Sequence, residues 1–167
     1  MGITMPVATT VLYTDAHRIT GTLMLRERLS EALNDPLTDY LELQDVRVSK
    51  LVDPDHRQIS WPTTVVPKNE IVIATLDDDR GENKASRIDK MKKKDDTKLG
   101  CVVGAIELYG TGHIGFLSNP REVLLHQLRP FFPVTDANLL FPAAVDSWLE
   151  TPLALANRAK LKAFALL

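Results

Sequence analysis

The sequence predicts a mainly β protein with short helices, organised as two tandem small β-barrel-like units related by internal duplication. Three observations carry this expectation. Sliding the chain by 91 residues aligns 11–48 with 102–139 without a gap, and 62–76 then matches 152–166 at an offset of 90. Both copies place a strand, a short helical turn and a second strand in the same order, as a duplicated supersecondary unit would. A charge-dense segment, 77–98, separates them. The expected organisation is a first β unit at 1–76, a charged linker or exposed loop at 77–98, and a second β unit at 99–167.

The identical pairs are Val11/Val102, Thr20/Thr111, Gly21/Gly112, Glu31/Glu122, Leu33/Leu124, Leu37/Leu128 and Asp45/Asp136, seven of 38 aligned positions. Similar pairs such as Leu23/Ile114, Leu25/Phe116, Tyr40/Phe131 and Leu43/Val134 are read as core positions of the two copies.

Taken in order, 7–13 is rich in Val and Thr and predicts a strand. The polar stretch Thr14-Asp15-Ala16-His17 turns the chain into a second strand over 18–26, completing a hairpin. Gly21 inside that strand marks a bend or a close backbone approach, and Gly112 repeats it. Residues 28–34 form a short helix starting at Arg28, with Leu29, Ala32 and Leu33 on its apolar side. The second copy begins its helix more clearly, with Asn119 as N-cap, Pro120 at the first helical position and Glu122 at the third. The alternating stretch 39–51 is the strongest strand. Asp45 in it, and Asp136 in its counterpart, are expected to be half-buried and to serve structure by accepting main-chain N–H bonds at a bend. Residues 63–66 and 70–76 add two strands around a tight Pro67-Lys68-Asn69 turn. The final stretch 153–167, rich in Ala, Leu and Lys, has helical propensity, but its match to 63–76 predicts two strands around Asn157-Arg158.

The segment 77–98 carries seven acids against eight bases and almost no apolar residue. Such a composition cannot offset the entropy of ordering, so it is expected to be a mobile linker.

The whole chain is 167 residues long with a net charge of −2, which gives no general attraction for nucleic acid or anionic membrane. No apolar run reaches the roughly 18 residues of a membrane span. No basic region followed by an apolar stretch marks a signal peptide, and Pro6 stands where a myristoylation motif has Ser or Thr. Cys101, the single cysteine, lies in an apolar run and reads as a buried thiol in a reducing cytoplasm.

The string Arg28-Leu29-Ser30-Glu31-Ala32-Leu33-Asn34, followed by Tyr40-Leu41-Glu42-Leu43-Gln44-Asp45-Val46, resembles an uncharacterised bacterial domain family with an R-L-S-D-x-L-N signature and a strand ending in a T-D-A-like tripeptide. Here Glu31 replaces the usual Asp. The second copy keeps Thr135-Asp136-Ala137 but has Asn119 and Leu125 in place of the signature's Arg and Asn. The resemblance implies no known activity. More distantly, each unit is similar in layout to Sm-like small β-barrels. Val11-Leu12, the Asp15–Arg18 turn and Gly21 resemble the opening hairpin, and 67–73 resembles the closing strands. The Sm-like order puts its helix before the first strand, whereas this chain puts one after the second. The RNA-contacting residues of that family find no match here, so RNA binding is not implied.

Catalytic patterns are missing. His17, His56, His113 and His126 show no metal spacing, and no cofactor motif is present. Gly110-Thr111-Gly112-His113 reads as a hairpin turn. The basic cluster Arg87, Lys90, Lys92, Lys93, Lys94 and Lys98 could attract phosphate, but Asp89, Asp95 and Asp96 interrupt it and no aromatic residue is interleaved for stacking. The expectation is a cytoplasmic, non-enzymatic scaffold or adaptor acting through protein–protein contacts, without cofactor or metal. Its partner is another protein or itself, as a homo-oligomer. The alternative is nucleic-acid binding through the basic loop 87–98.

Overall fold

In the computed structural model, residues 7–24, 28–52, 58–76, 95–114, 119–142 and 148–167 are described. Strands dominate, and they join one large antiparallel sheet. The first half contributes β1 (Val7–Tyr13), β2 (His17–Met24), helix α1 (Leu29–Asn34), β3 (Tyr40–Lys50), β4 (Ile59–Trp61), β5 (Thr64–Pro67), a 3-10 turn at Lys68–Glu70 and β6 (Ile73–Leu76). The second contributes β7 (Asp95–Val103), β8 (Ile106–Ile114), helix α2 (Pro120–His126), β9 (Phe131–Leu140), β10 (Trp148–Asn157), a 3-10 turn at Arg158–Lys160 and β11 (Leu161–Leu166). Residues 153–167 are therefore strands around a turn, and the match to 63–76 prevails over helical propensity. No helix among the described residues is long and apolar enough to cross a membrane.

The strand order is β11-β7-β8-β9-β10-β6-β1-β2-β3-β4, with β5 also on β3. Among the described residues the sheet does not close into a barrel. Closing either half would require β5 to pair with β6, or β10 with β11. Instead β6 takes β10 of the other half as its neighbour, with Ala154 opposite Thr75, Leu155 opposite Ala74 and Ala156 opposite Ile73. Asn157 extends this joint: its N–H donates to Val72 O (2.9 Å) and its Nδ2 to Ile71 O (2.8 Å).

The joint is where the interior is deepest. Every residue of β6 is buried, as are residues 153–157 of β10. Successive side chains of a strand point to opposite faces, and both faces are covered here. Leu12, Ala74, Leu153 and Leu155 enter one apolar cluster with Leu29, Leu33 and Leu43. Val11, Tyr13, Ile73, Ala154 and Ala156 enter another with Leu99, Leu108, Phe132 and Leu139. Each half thus lends side chains to the other's core.

The strand registers show a kink that the sequence pattern carries as a change of phase. In β3 the buried apolar residues are Leu41 and Leu43, then Val46 and Val48. One extra residue must be inserted for odd positions to give way to even ones, and that is what a β-bulge does. The β2–β3 register slips between Thr20/Arg47 and Thr22/Gln44, and Asp45 in the bulge takes φ 51°. In β9, Phe132 and Val134 give way to Ala137 and Leu139, the register slips between Tyr109/Asn138 and Thr111/Thr135, and Asp136 takes φ 46°. Both aspartates are exposed, not half-buried as expected. Their shared role is a left-handed backbone, which Asp tolerates better than most residues because its short polar side chain can hydrogen-bond locally. Asp136→Asn or Asp136→Gly should therefore leave the melting midpoint nearly unchanged, whereas Asp136→Val should cost about 1–2 kcal/mol in urea unfolding.

The bulges also correct the pairing of glycines. A Cβ on Gly21 would meet Leu43 Cβ at 3.0 Å, Val46 Cγ2 at 3.1 Å and Gln44 O at 3.2 Å. A Cβ on Gly110 would meet Val134 Cγ1 at 2.6 Å, Thr135 O at 2.8 Å and Ala137 Cα at 3.2 Å, the counterparts of those residues in β9. Gly110, not Gly112, is the structural equivalent of Gly21. Nor is 110–113 a hairpin turn. It lies inside β8, and the turn is at Gly104-Ala105, where Gly104 has φ 57°. Gly112 has its own reason to be glycine, since Leu99 Cδ2 lies 2.5 Å from where a Cβ would stand.

The charged segment ends earlier than its composition suggests. Asp95 to Lys98 open β7, with Asp96 opposite His113 and Lys98 opposite Thr111. The remainder of that expected linker, 77–94, lies outside the described residues.

Candidate functional site

The residues singled out as structural signature do structural work. Arg28 stands at the N-cap of α1, and its Nε and Nη2 donate to Glu31 Oε1 at 3.1 and 2.8 Å. Leu29 and Leu33 bury the helix against the first core. Asn34 reaches the other half: its Nδ2 donates to Phe131 O (2.9 Å), and its Oδ1 accepts from Phe131 N–H (2.8 Å). Two main-chain groups at the start of β9 are thus satisfied by one side chain. In the second half Asn119 caps α2, accepting from Glu122 N–H at 3.0 Å.

A pair of cations went unnoticed in the sequence. Lys68 is buried at the 3-10 turn after β5, and its Nζ donates to Asp35 O (3.0 Å) and Thr38 Oγ1 (2.8 Å). Arg158 opens the turn after β10, and its guanidinium donates to Leu128 O (3.2 Å). The backbone N–H groups of the two also donate, to Asp39 O and Pro130 O, at 2.8 Å. The signal was a base at matching places in the blocks 62–76 and 152–166. Both cations hold the chain after a helix against the turn between the last two strands.

The other sequence candidates do not converge. Of the basic cluster, Lys98 is exposed on β7 and donates to Thr111 Oγ1 (3.0 Å). Arg87, Lys90, Lys92, Lys93 and Lys94 lie outside the described residues, as does His56. His113 bonds Thr135 Oγ1 (2.9 Å) and lies 3.0 Å from Asp96 Oδ1, while His126 lies 3.7 Å from Glu122. Among the described residues, no three His, Cys, Asp or Glu side chains are placed to share a metal ion. Among the described residues, one open hollow lies beside Gly104 and Lys160 and another beside Asp136 and Glu150.

Cys101 is buried in the second core, and burial pushes its thiol from 9.0 up to about 12. The native protein should therefore resist a thiol reagent at neutral pH and react only after denaturation. An unfolded chain ionises this thiol near 9.0 and the folded one near 12. The associated stability is complete below the first value and is lost as pH rises towards the second.

What remains is the pair of sheet edges. On one side, β4 and β5 cover successive parts of β3 in a single register, with Trp61 opposite Val46 and Val65 opposite Glu42. Their outer side has no strand neighbour among the described residues, and Ile59, Trp61 and Val65 are exposed there, Val65 to 55%. On the other side, β11 pairs with β7 alone. Its Ala163 and Ala165 are exposed, and Phe164 and Leu166 are only half-buried. Leu167 is exposed beyond them. An edge strand offers a row of main-chain donors and acceptors to any strand laid beside it. Searches of family models, curated proteins and solved structures found nothing that this chain matches.

Proposed function

We propose that this chain is a non-enzymatic structural interaction module, made of two small β units related by internal duplication, and that it acts through protein–protein contacts at its two open sheet edges. One observation supports this above all: on both edges, backbone with no strand neighbour among the described residues lies beside exposed apolar side chains, Ile59, Trp61 and Val65 on one and Ala163 and Ala165 on the other. Strand addition gives affinity through main-chain hydrogen bonds and selectivity through alternate side chains. The duplication reading has its own support, in the bulge aspartates, the glycines facing them and the cationic turns that occupy matching places in both halves.

The test is capture from a native lysate, with and without nuclease, by the wild-type chain and by Val65→Lys and Ala165→Lys variants. Both sites are exposed, so the fold should tolerate lysine. Capture that survives nuclease and is lost in the edge variants is the expected result. Capture indifferent to both edges, or abolished by nuclease alone, would overturn it.

A further inference from the structure

We infer that the occupant of these edges is a second copy of the same chain, joined head to tail, with β5 of one copy paired to β11 of the next. The inference rests on the edge reading above and adds the partner and the register.

The template is inside the molecule. The joint between the halves is β10 against β6. Strand β5 stands in the first half where β10 stands in the second: β5 pairs with β3 through Val65/Glu42, β10 with β9 through Leu155/Pro133, and a 3-10 turn follows each. Strand β11 likewise stands where β6 does, since each follows that turn and pairs with the first strand of its own half. The chain therefore presents one unused copy of each surface that its internal joint consumes. Carrying the internal register across at the offset of 90 places Thr64 opposite Ala165, Val65 opposite Phe164 and Val66 opposite Ala163.

Burial agrees. The strand segments inside the joint are covered on both faces, whereas the equivalent β5 and β11 are covered on one. The helices agree as well. Asn34 of α1 crosses the internal joint to Phe131. The counterparts of that pair at the offset of 91 are Leu125 on α2 and Tyr40 on β3, which are 48% and 51% exposed. A polar clamp inside the chain is thus matched by two exposed apolar side chains on opposite free edges. The edges also differ in charge: Glu42 and Glu70 lie on the β5 side, Lys160 and Lys162 on the β11 side.

One position weakens the joint between copies. Asn157 supplies two donors to the internal joint, but Pro67 takes its place in β5 and has no N–H to give. Association should therefore be reversible and concentration-dependent, and Pro67→Asn should tighten it by about tenfold or more. Because the two joined surfaces differ, the contact is heterologous and forms a ring or an open chain.

The experiment mixes purified Thr64→Cys protein with purified Ala165→Cys protein under mild oxidation, and measures wild-type mass by light scattering across a concentration series. The expected result is a disulfide between the two different variants, with no comparable cross-link in a Trp61→Cys and Ala165→Cys mixture, which is out of register. Mass should rise above 18.6 kDa with concentration, and Leu125→Asp should lower it. A strict monomer at high micromolar concentration, in wild type and Pro67→Asn alike and without the cross-link, would overturn the inference. Edge-dependent capture from lysate would then still stand for the module itself, and loss of both would sink both.

Discussion

Replacing Gly110 with alanine should be the most damaging small substitution in the second half. The new methyl would lie 2.6 Å from Val134 Cγ1 and 2.8 Å from Thr135 O, with Ala137 Cα at 3.2 Å. Two of these three atoms are main chain, fixed by the β8–β9 ladder on both sides of the bulge, so the strain cannot be relieved by a rotamer change. Overpacking of this kind costs about 1–3 kcal/mol, and the rigid neighbours place Gly110→Ala at or above the upper end. Gly21→Ala meets the same surroundings at 3.0–3.2 Å and should cost less. Gly112→Ala meets the tip of one side chain, Leu99 Cδ2 at 2.5 Å, with no main-chain atom among its near neighbours, and should also cost less than Gly110→Ala. Urea unfolding of the three variants checks that Gly110→Ala is the most costly, and a neutral Gly110→Ala would show that the two strands do not approach so closely.

Leu33→Ala should cost about 2–4 kcal/mol, the range for a leucine removed from a packed core. Leu33 is 3% exposed and packs in the first cluster. Its sequence counterpart Leu124 is only half-buried, and Val123 beside it is the fully buried residue of α2. Leu124→Ala should therefore lose clearly less, about 1 kcal/mol, and Val123→Ala should lose more than Leu124→Ala. Equal losses at Leu33 and Leu124 would mean that α2 is rotated relative to this structure.

The mismatch at Leu124 shows what was legible in the sequence and what was not. The order of strands, helix and turns could be read, because apolar alternation, a capping Asn119 and a Pro-rich turn act locally. The pairing of equivalent positions in the first hairpin could not. The gapless alignment matched Gly21 to Gly112, two residues beyond its structural equivalent Gly110. A two-residue slide preserves which face each strand residue presents, so both alignments show the same inside-and-outside pattern. The bulge was hidden for the converse reason. Reading 39–51 as one alternation overlooked the shift from Leu41 and Leu43 to Val46 and Val48, the one local sign of an inserted residue. That the apolar strand ending at Leu76 needs cover from the sister unit or a second chain could be read from its composition, but not that β10, some 80 residues further along, would pair with it in place of closure.

That long-range neighbour has a consequence during synthesis. When Leu76 has been made, β1, β2 and β3 have already been made, yet the outer edge of β6 has no strand to pair with until β10 has been synthesised. At about 5–20 residues per second, the interval is roughly 4–16 s. Through that interval a nascent chain carries Ile73, Ala74 and Leu76 on an uncovered strand edge, with Phe131, Leu153 and Leu155, three of the sixteen buried residues of the first core, still to come. The ribosome-bound intermediate is therefore the most aggregation-exposed form of the molecule, and neighbouring nascent chains on one messenger would meet each other with that edge open.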